Sequence, residues 1–352
     1  MPSNKSNPYT LVFGQPPLEE IERTAQAERI IQEFSQERPS NRINLITGVR
    51  GCGKTVFLTH IANRLQQKDD WVVVNLNPKR DLLIGLAAKL DSNRFLHGIF
   101  HKAEINLSAF GIGMGIKGVP AISDIEEALV RMLQSIKKHG KRVLITIDEA
   151  SNTQEMRAFA STFQILLRED LPVFLLMTGL YKSIDNLRNA EGMTFLERAP
   201  RTMLSPLDIY LIQQNYSLTL GLKEDEAMQL AKESKGYSFA FQTIGYFMWE
   251  NPENREKAIQ SAKEYLYEFA YWKIWSELSK IDKRIVRAIA KVPGGCVGEI
   301  REILQYTSNQ FNPYRNRLLK AGIIWSPENG TVEFNLPWFG DFARYVELLG
   351  EQ

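Results

Sequence analysis

The feature that most narrows what this chain can fold into is an eight-residue run, Gly48-Val49-Arg50-Gly51-Cys52-Gly53-Lys54-Thr55. It lies between the apolar stretch Ile43-Asn44-Leu45-Ile46-Thr47 and apolar residues at helical spacing, Phe57, Leu58, Ile61 and Leu65. Gly48, Gly51 and Gly53 let the backbone take conformations that a Cβ forbids, so successive N–H groups can turn toward one point. The helix that follows adds partial positive charge at its N-terminus. Strand, loop and helix in this order make an anion cradle: Lys54 can reach the β- and γ-phosphates of a nucleotide, and the Thr55 hydroxyl can ligate Mg²⁺. The cradle is expected to run from Gly48 through Val49, Arg50, Gly51, Cys52, Gly53, Lys54 and Thr55 to Val56, with Arg50 read as a spectator inside it.

A second apolar run, Arg142-Val143-Leu144-Ile145-Thr146-Ile147, ends abruptly in Asp148-Glu149. A β-branched run of this kind belongs inside a parallel sheet covered on both faces, whose C-terminal edge is where ligands bind. There Asp148 can hold Mg²⁺ while Glu149 orients and deprotonates the water that attacks a γ-phosphate. A third run, Leu171 to Gly179, places Thr178 at its end, where its hydroxyl would lie near the γ-phosphate if the two strands are neighbours. Trp71 to Leu76 supplies a further buried strand.

Between these pieces, residues 105–118 alternate apolar with small or polar positions around several glycines and predict a β-hairpin insertion. Their Gly-Ile-Gly-Met-Gly segment lacks the strand-to-helix setting of a dinucleotide loop. His97, His101 and Glu104 share a helical face, but the spacing alone supports no metal site. A helix is expected over Ser123 to Lys138, capped by Ser123 with Glu126 three residues on.

At 352 residues, with 44% hydrophobic and 24% charged residues, the chain has the composition of a folded protein of two or three domains. No apolar run approaches the roughly 20 residues needed to span a bilayer. The polar start, Met1 to Asn7, has no secretory pattern. Two cysteines, Cys52 and Cys296, cannot build a disulfide framework. A cytoplasmic location without membrane contact is the expectation.

After Pro206 the pattern turns helical, over Asp208 to Ser217, Glu224 to Ser234, Ala240 to Trp249 and Arg255 to Ser276. Then come an apolar stripe at Ile281, Ile285, Val286 and Ile289, a short helix over Val297 to Leu304, and a third that Pro313 places as starting near itself. A hairpin through Glu328-Asn329-Gly330 follows. Three helices and a hairpin make a winged helix-turn-helix. Between Lys273 and Trp325, ten Lys or Arg face four Asp or Glu, a net of +6, against +2 for the whole chain. Such an excess suits the phosphates of double-stranded DNA, with Asn309, Gln310, Asn312, Arg315, Asn316 and Arg317 placed to contact it.

The order of these pieces resembles the AAA+ and STAND branch of P-loop ATPases, particularly the origin-recognition ATPases and their prokaryotic relatives. The resemblance implies an α/β fold: a P-loop NTPase parallel sheet, AAA+-like, with a helical lid and a C-terminal winged helix-turn-helix. It divides the chain into an extension (1–19), an ATPase core (20–205), a lid (206–272) and a winged helix (273–352). It implies binding of ATP and Mg²⁺ and slow hydrolysis to ADP and phosphate, with Lys54, Thr178 and Glu149 at the reaction. It also makes Arg198 and Arg201 the arginines that could reach a neighbouring copy's nucleotide. The family's lid arginine has no counterpart in Gly236-Tyr237-Ser238-Phe239-Ala240-Phe241-Gln242. Two readings stay open: a switch coupling Mg-ATP state to DNA through the winged helix, and a nucleotide-gated signalling or defence scaffold whose winged helix binds protein. A homo-oligomer fits either.

Overall fold

A computed structural model of the protein describes residues 6–12 and 18–350. Its contacts divide the chain into two units: one holds residues 24–47 and 54–202, and the other holds the N-terminal segment to Arg23, Gly48–Gly53 and everything from Met203 onward.

The first unit is built on β1 (Ile43–Thr47), β2 (Trp71–Leu76), β3 (Arg142–Ile147) and β4 (Val173–Gly179), extended at its edge by β5 (Arg201–Met203). The strand order is β2-β3-β4-β1-β5, and β1, β2, β3 and β4 pair in parallel. β1 and β4 are buried at every position, as expected of strands covered on both faces. The helices are α1 (Thr24–Ser35), α2 (Lys54–Gln66), α3 (Leu82–Ser92), α4 (Arg94–Lys102), α5 (Ile125–Lys138), α6 (Gln154–Arg168), α7 (Tyr181–Arg188) and the single turn α8 (Thr194–Glu197). Side-chain caps from Asp81, Asn93, Asp124 and Thr153 satisfy the first amides of α3, α4, α5 and α6. α5 therefore has its cap one residue later than expected, at Asp124 rather than Ser123, where the Asp124 carboxylate accepts the Glu126 amide at 2.8 Å.

The stretch 105–118 is not a hairpin. It forms a 3-10 turn at Ser108–Phe110 and a glycine-rich coil, turned by positive φ at Gly111 and Gly113. Ile105, Leu107 and Ile112 sink into the core, and the Asn106 side chain closes the loop on the Val119 carbonyl at 2.7 Å. The alternation that suggested strands is the coil's own pattern of buried anchors.

In the second unit, α9 (Ile209–Leu220), α10 (Glu224–Glu233) and α11 (Ser238–Glu250) are followed by α12 (Arg255–Leu266), which runs through a π-helical turn at Tyr267–Tyr271 into α13 (Trp272–Glu277). Residues 7–10 lie on α11, with Tyr9 buried and its hydroxyl donating to Asn215 at 2.7 Å. Next come α14 (Lys280–Lys291), α15 (Val297–Leu304), α16 (Ser308–Lys320), the antiparallel pair β6 (Ile324–Trp325) and β7 (Glu333–Phe334), and α17 (Phe339–Leu348). A bridge between Cys296 and Thr331 ties the start of α15 to the hairpin.

The start of α16 also differs from expectation. Thr307 and Gln310 form a reciprocal capping box, so the helix begins at Ser308 and Pro313 sits inside it on an exposed face. The same device caps α14 through Ser279 and Asp282. Asp282 is buried and receives the Arg317 guanidinium at 2.6 Å. Asp282→Ala is expected to lower the unfolding free energy by about 2 kcal/mol, because it removes half of the capping box and the carboxylate that pairs with the part-exposed Arg317. Urea denaturation measures this, and a loss below about 1 kcal/mol would show the pair to be dispensable.

Candidate functional site

At the C-terminal edge of the sheet, β4 lies between β1 and β3, with Thr178 opposite Ile46 and Met177 opposite Ile147. Asp148, one residue past β3, thereby comes beside Thr178. The Thr178 hydroxyl donates to Asp148 Oδ1 and accepts the Glu149 amide at 3.2 Å. The Thr55 hydroxyl, in the first turn of α2, donates to the other carboxylate oxygen, Asp148 Oδ2, at 2.7 Å. Three of the residues singled out from sequence, Thr55, Asp148 and Thr178, therefore meet around one carboxylate.

Glu149 has φ of 55°, a left-handed conformation unusual for a residue with a Cβ. The strain, on the order of 1 kcal/mol, is held by the Glu149 amide bonds and by Ala150 N–H donating to the Thr178 carbonyl at 2.8 Å. This kink turns the Glu149 side chain out of the strand's alternation and leaves it exposed. Next to β3, Asn75 Oδ1 accepts the Thr146 hydroxyl at 2.5 Å, a polar pair at the sheet's edge that strand patterning did not single out.

Gly48–Gly53 is described within the second unit, where α11 holds it. Gly51 and Gly53 have φ of 77° and 89°. Tyr237 donates its phenol to the Arg50 carbonyl at 2.7 Å, Phe239 its amide to the Gly51 carbonyl at 3.1 Å, and Ser238 its hydroxyl to the Cys52 carbonyl at 2.9 Å. Three consecutive carbonyls are thus tied toward α11. In a trans peptide the next N–H points the opposite way, so the Gly51 and Gly53 amides face away from that helix. Burial pushes the Tyr237 phenol well above its usual range, so it remains a hydrogen-bond donor.

Arg23 completes the support. Its guanidinium donates to the Cys52 carbonyl at 2.9 Å, the Ser238 hydroxyl at 3.0 Å and the Ser205 carbonyl at 2.7 Å. Burial lowers its pKa from the ordinary arginine value. Neither Arg23 nor Tyr237 was flagged from sequence. The segment Gly236–Gln242 holds no arginine and meets the loop instead with the hydroxyls of Tyr237 and Ser238 and the amide of Phe239.

The remaining site residues separate into exposed and committed side chains. Arg201 lies 3.5 Å from Asp185 and 4.6 Å above the Tyr181 ring. Arg198 is exposed just past α8, whose final carbonyls, Leu196 and Glu197, are gripped by Arg188. On α16, Asn309, Asn312 and Asn316 are exposed, Gln310 serves the capping box, Arg315 donates to Ser326 at 2.5 Å, and Arg317 is bound to Asp282. Other cations of the basic stretch are also engaged: Arg284 caps the Leu304 carbonyl and covers Tyr306, and Arg287 and Lys283 both lie over Trp275. The excess charge counted from sequence is real, but much of its hydrogen-bonding capacity is used inside the domain.

Residues 26–169 match the model of a family described as an ATPase domain predominantly from Archaea, and residues 269–343 match one described as a domain of unknown function. No curated protein matches the chain. Among solved structures it is similar to a Walker-type ATPase of Pyrococcus abyssi, at 16% identity and a TM-score of 0.64 over 92% of this chain and 96% of that one. It is also similar to the ORC2 protein of Aeropyrum pernix, solved in ADPNP and ADP complexes, at 14% identity and a TM-score of 0.55 over 96% and 97%. The chain thus shares the fold of this Walker-type ATPase and of the ORC2 protein. Among the described residues, no helix is long and apolar enough to cross a membrane.

Gly51 is the loop position least able to accept a side chain. An added Cβ would stand 2.3 Å from the Tyr237 hydroxyl, on a backbone already at positive φ. Gly51→Ala is expected to cost about 2 kcal/mol in thermal denaturation; an unchanged melting temperature would contradict the tight seat of the loop on α11.

Proposed function

We propose that the protein is a slow ATPase in which Mg-ATP occupancy switches the C-terminal helices and hairpin, taken as a winged helix, between two arrangements. The observation that carries this reading is the Thr55 hydroxyl 2.7 Å from the Asp148 carboxylate, with Glu149 kinked outward beside it. Lys54 and the amides of the loop bind the phosphates, and Glu149 takes the proton from the water that attacks the γ-phosphorus as the β–γ bridging bond breaks, releasing ADP and phosphate. A hydroxyl and a carboxylate are hard oxygen donors that suit Mg²⁺ rather than a soft metal. Thr55 and Asp148 would hold it, and it would neutralise charge on the phosphate oxygens. Thr178 keeps Asp148 in place through its hydroxyl. Nucleotide complexes of the Aeropyrum pernix protein support the choice of ligand.

Arg198, exposed at the end of α8, is the better placed of the two arginines to serve a second copy, since Arg201 is held by Asp185 and Tyr181. For the C-terminal unit, the exposed Asn309, Asn312, Asn316 and Lys320 recur at helical spacing on α16 and suit duplex DNA, as does the exposed Lys280 at the start of α14. The internal engagement of Arg317, Arg284 and Arg287 favours the second reading, a scaffold that binds protein through this domain.

Glu149→Gln should retain ATP within about threefold while turnover falls by about 100-fold or more, measured by calorimetry and phosphate release. Normal turnover in that variant would remove Glu149 from the reaction. Lys280→Ala with Lys320→Ala should weaken duplex DNA binding and flatten its salt dependence, with the logarithmic slope falling by about 2. Absence of DNA affinity in the unaltered protein at low salt would leave the protein-binding scaffold.

A further inference from the structure

Arg50 sits inside the phosphate loop, yet its guanidinium is turned to a carboxylate from another part of the chain. Its Nη2 lies 3.1 Å from Oε1 of Glu277, the last residue of α13. Both side chains are about one-third exposed, at 32% and 31%, so the pair is open to competition by a dissolved anion. Glu277 lies two residues before Ser279, the cap of α14, on a helix that leaves the lid through the π-helical turn Tyr267–Tyr271. Such turns interrupt the regular ladder and are common where helices carry function. The Gly322 turn between α16 and β6 also approaches the loop: a Cβ added there would stand 3.8 Å from the Val49 nitrogen. One point of the C-terminal domain, Glu277, therefore bonds to the loop, and a second, the Gly322 turn, lies close to it.

We propose that Arg50 and Glu277 form an anion-competed latch between the phosphate loop and the C-terminal domain, one in which Glu277 opposes nucleotide binding and nucleotide phosphate, by drawing on Arg50, loosens the domain. This rests on the loop being the phosphate site. The carboxylate and a polyphosphate present the same chemistry to a guanidinium, oxygen acceptors of negative charge, and a phosphate group carries the greater charge. Both cannot have the same donors at once. Glu277 is thus a positioning residue: it touches Arg50, not substrate, and sets how freely the loop accepts an anion. By linkage, whatever weakens the latch must also tighten nucleotide binding by the same factor.

The test is a double-mutant cycle in the full chain with a non-hydrolysable ATP analogue. Glu277→Gln keeps the side chain's shape and removes its charge, and should tighten analogue binding by about two- to fivefold, the range spanned by an ion pair of this exposure. In an Arg50→Gln background the same change should have no effect on affinity, a non-additivity that a structural role would not produce. Hydrogen exchange supplies the independent readout: amides of residues 322–325 should exchange faster in the unaltered protein once the analogue binds, and in Glu277→Gln should do so without it. If the unaltered protein binds the analogue but Glu277→Gln neither tightens it nor speeds exchange at 322–325, the latch is wrong while the nucleotide site stands. If the unaltered protein takes up no nucleotide, the ATP reading falls and the latch falls with it.

Discussion

The placement of β4 between β1 and β3 is the constraint on which the geometry at the C-terminal edge of the sheet depends. Without it, the acidic tip of β3 would lie next to the strand that feeds the phosphate loop, and Thr178 would have no carboxylate beside it. With it, a single hydroxyl at the end of β4 fixes Asp148, accepts the Glu149 amide and leaves Asp148 Oδ2 for the Thr55 hydroxyl. The cost is a left-handed backbone at Glu149, tolerated because the neighbouring peptide is tied to β4. A residue held off the regular strand geometry can present its carboxylate where neither face of the sheet would have placed it.

The phosphate loop shows a different solution to the same problem of holding backbone in place. Glycines permit the required φ values, but permission is not order, and glycine loses more freedom on folding than any other residue. The order is imposed on the carbonyl side, by Tyr237, Ser238, Phe239 and Arg23. These groups need no contact with a ligand to affect its binding, since they decide which way the amides point. A lid segment without an arginine is for this reason not an inert one.

How much of this was legible beforehand follows from the range of the interactions. The strand-loop-helix run and the Asp148-Glu149 strand end are local patterns, and the sheet formed as their periodicity implied. Thr178 was expected near a γ-phosphate, and the structure shows its hydroxyl bonded to Asp148 on the neighbouring strand. The coil at 105–118 was misjudged because alternation at buried anchors is the same in a strand and in a loop pinned at Ile105, Leu107 and Ile112. The start of α16 was misplaced because Pro313 is a local signal that the Thr307–Gln310 capping box outweighs. Arg23 and Glu277 lie 29 and 227 residues from the loop atoms they hold, and no local pattern encodes such pairings.

The basic stretch of the C-terminal domain makes the same point about charge. A count of Lys and Arg measures the field a domain projects, and that field survives ion pairing only in part. Recognition of DNA also needs donors that are free to turn toward phosphate or a base edge. Arg317 satisfies a buried carboxylate, Arg315 the Ser326 hydroxyl and Arg284 a helix C-terminus, so each would surrender a structural bond to reach a ligand. What remains exposed along α16 is Asn309, Asn312, Asn316 and Lys320. A domain of this kind contributes most when its position, rather than its intrinsic affinity, is what changes, and position is what a contact with the phosphate loop can govern.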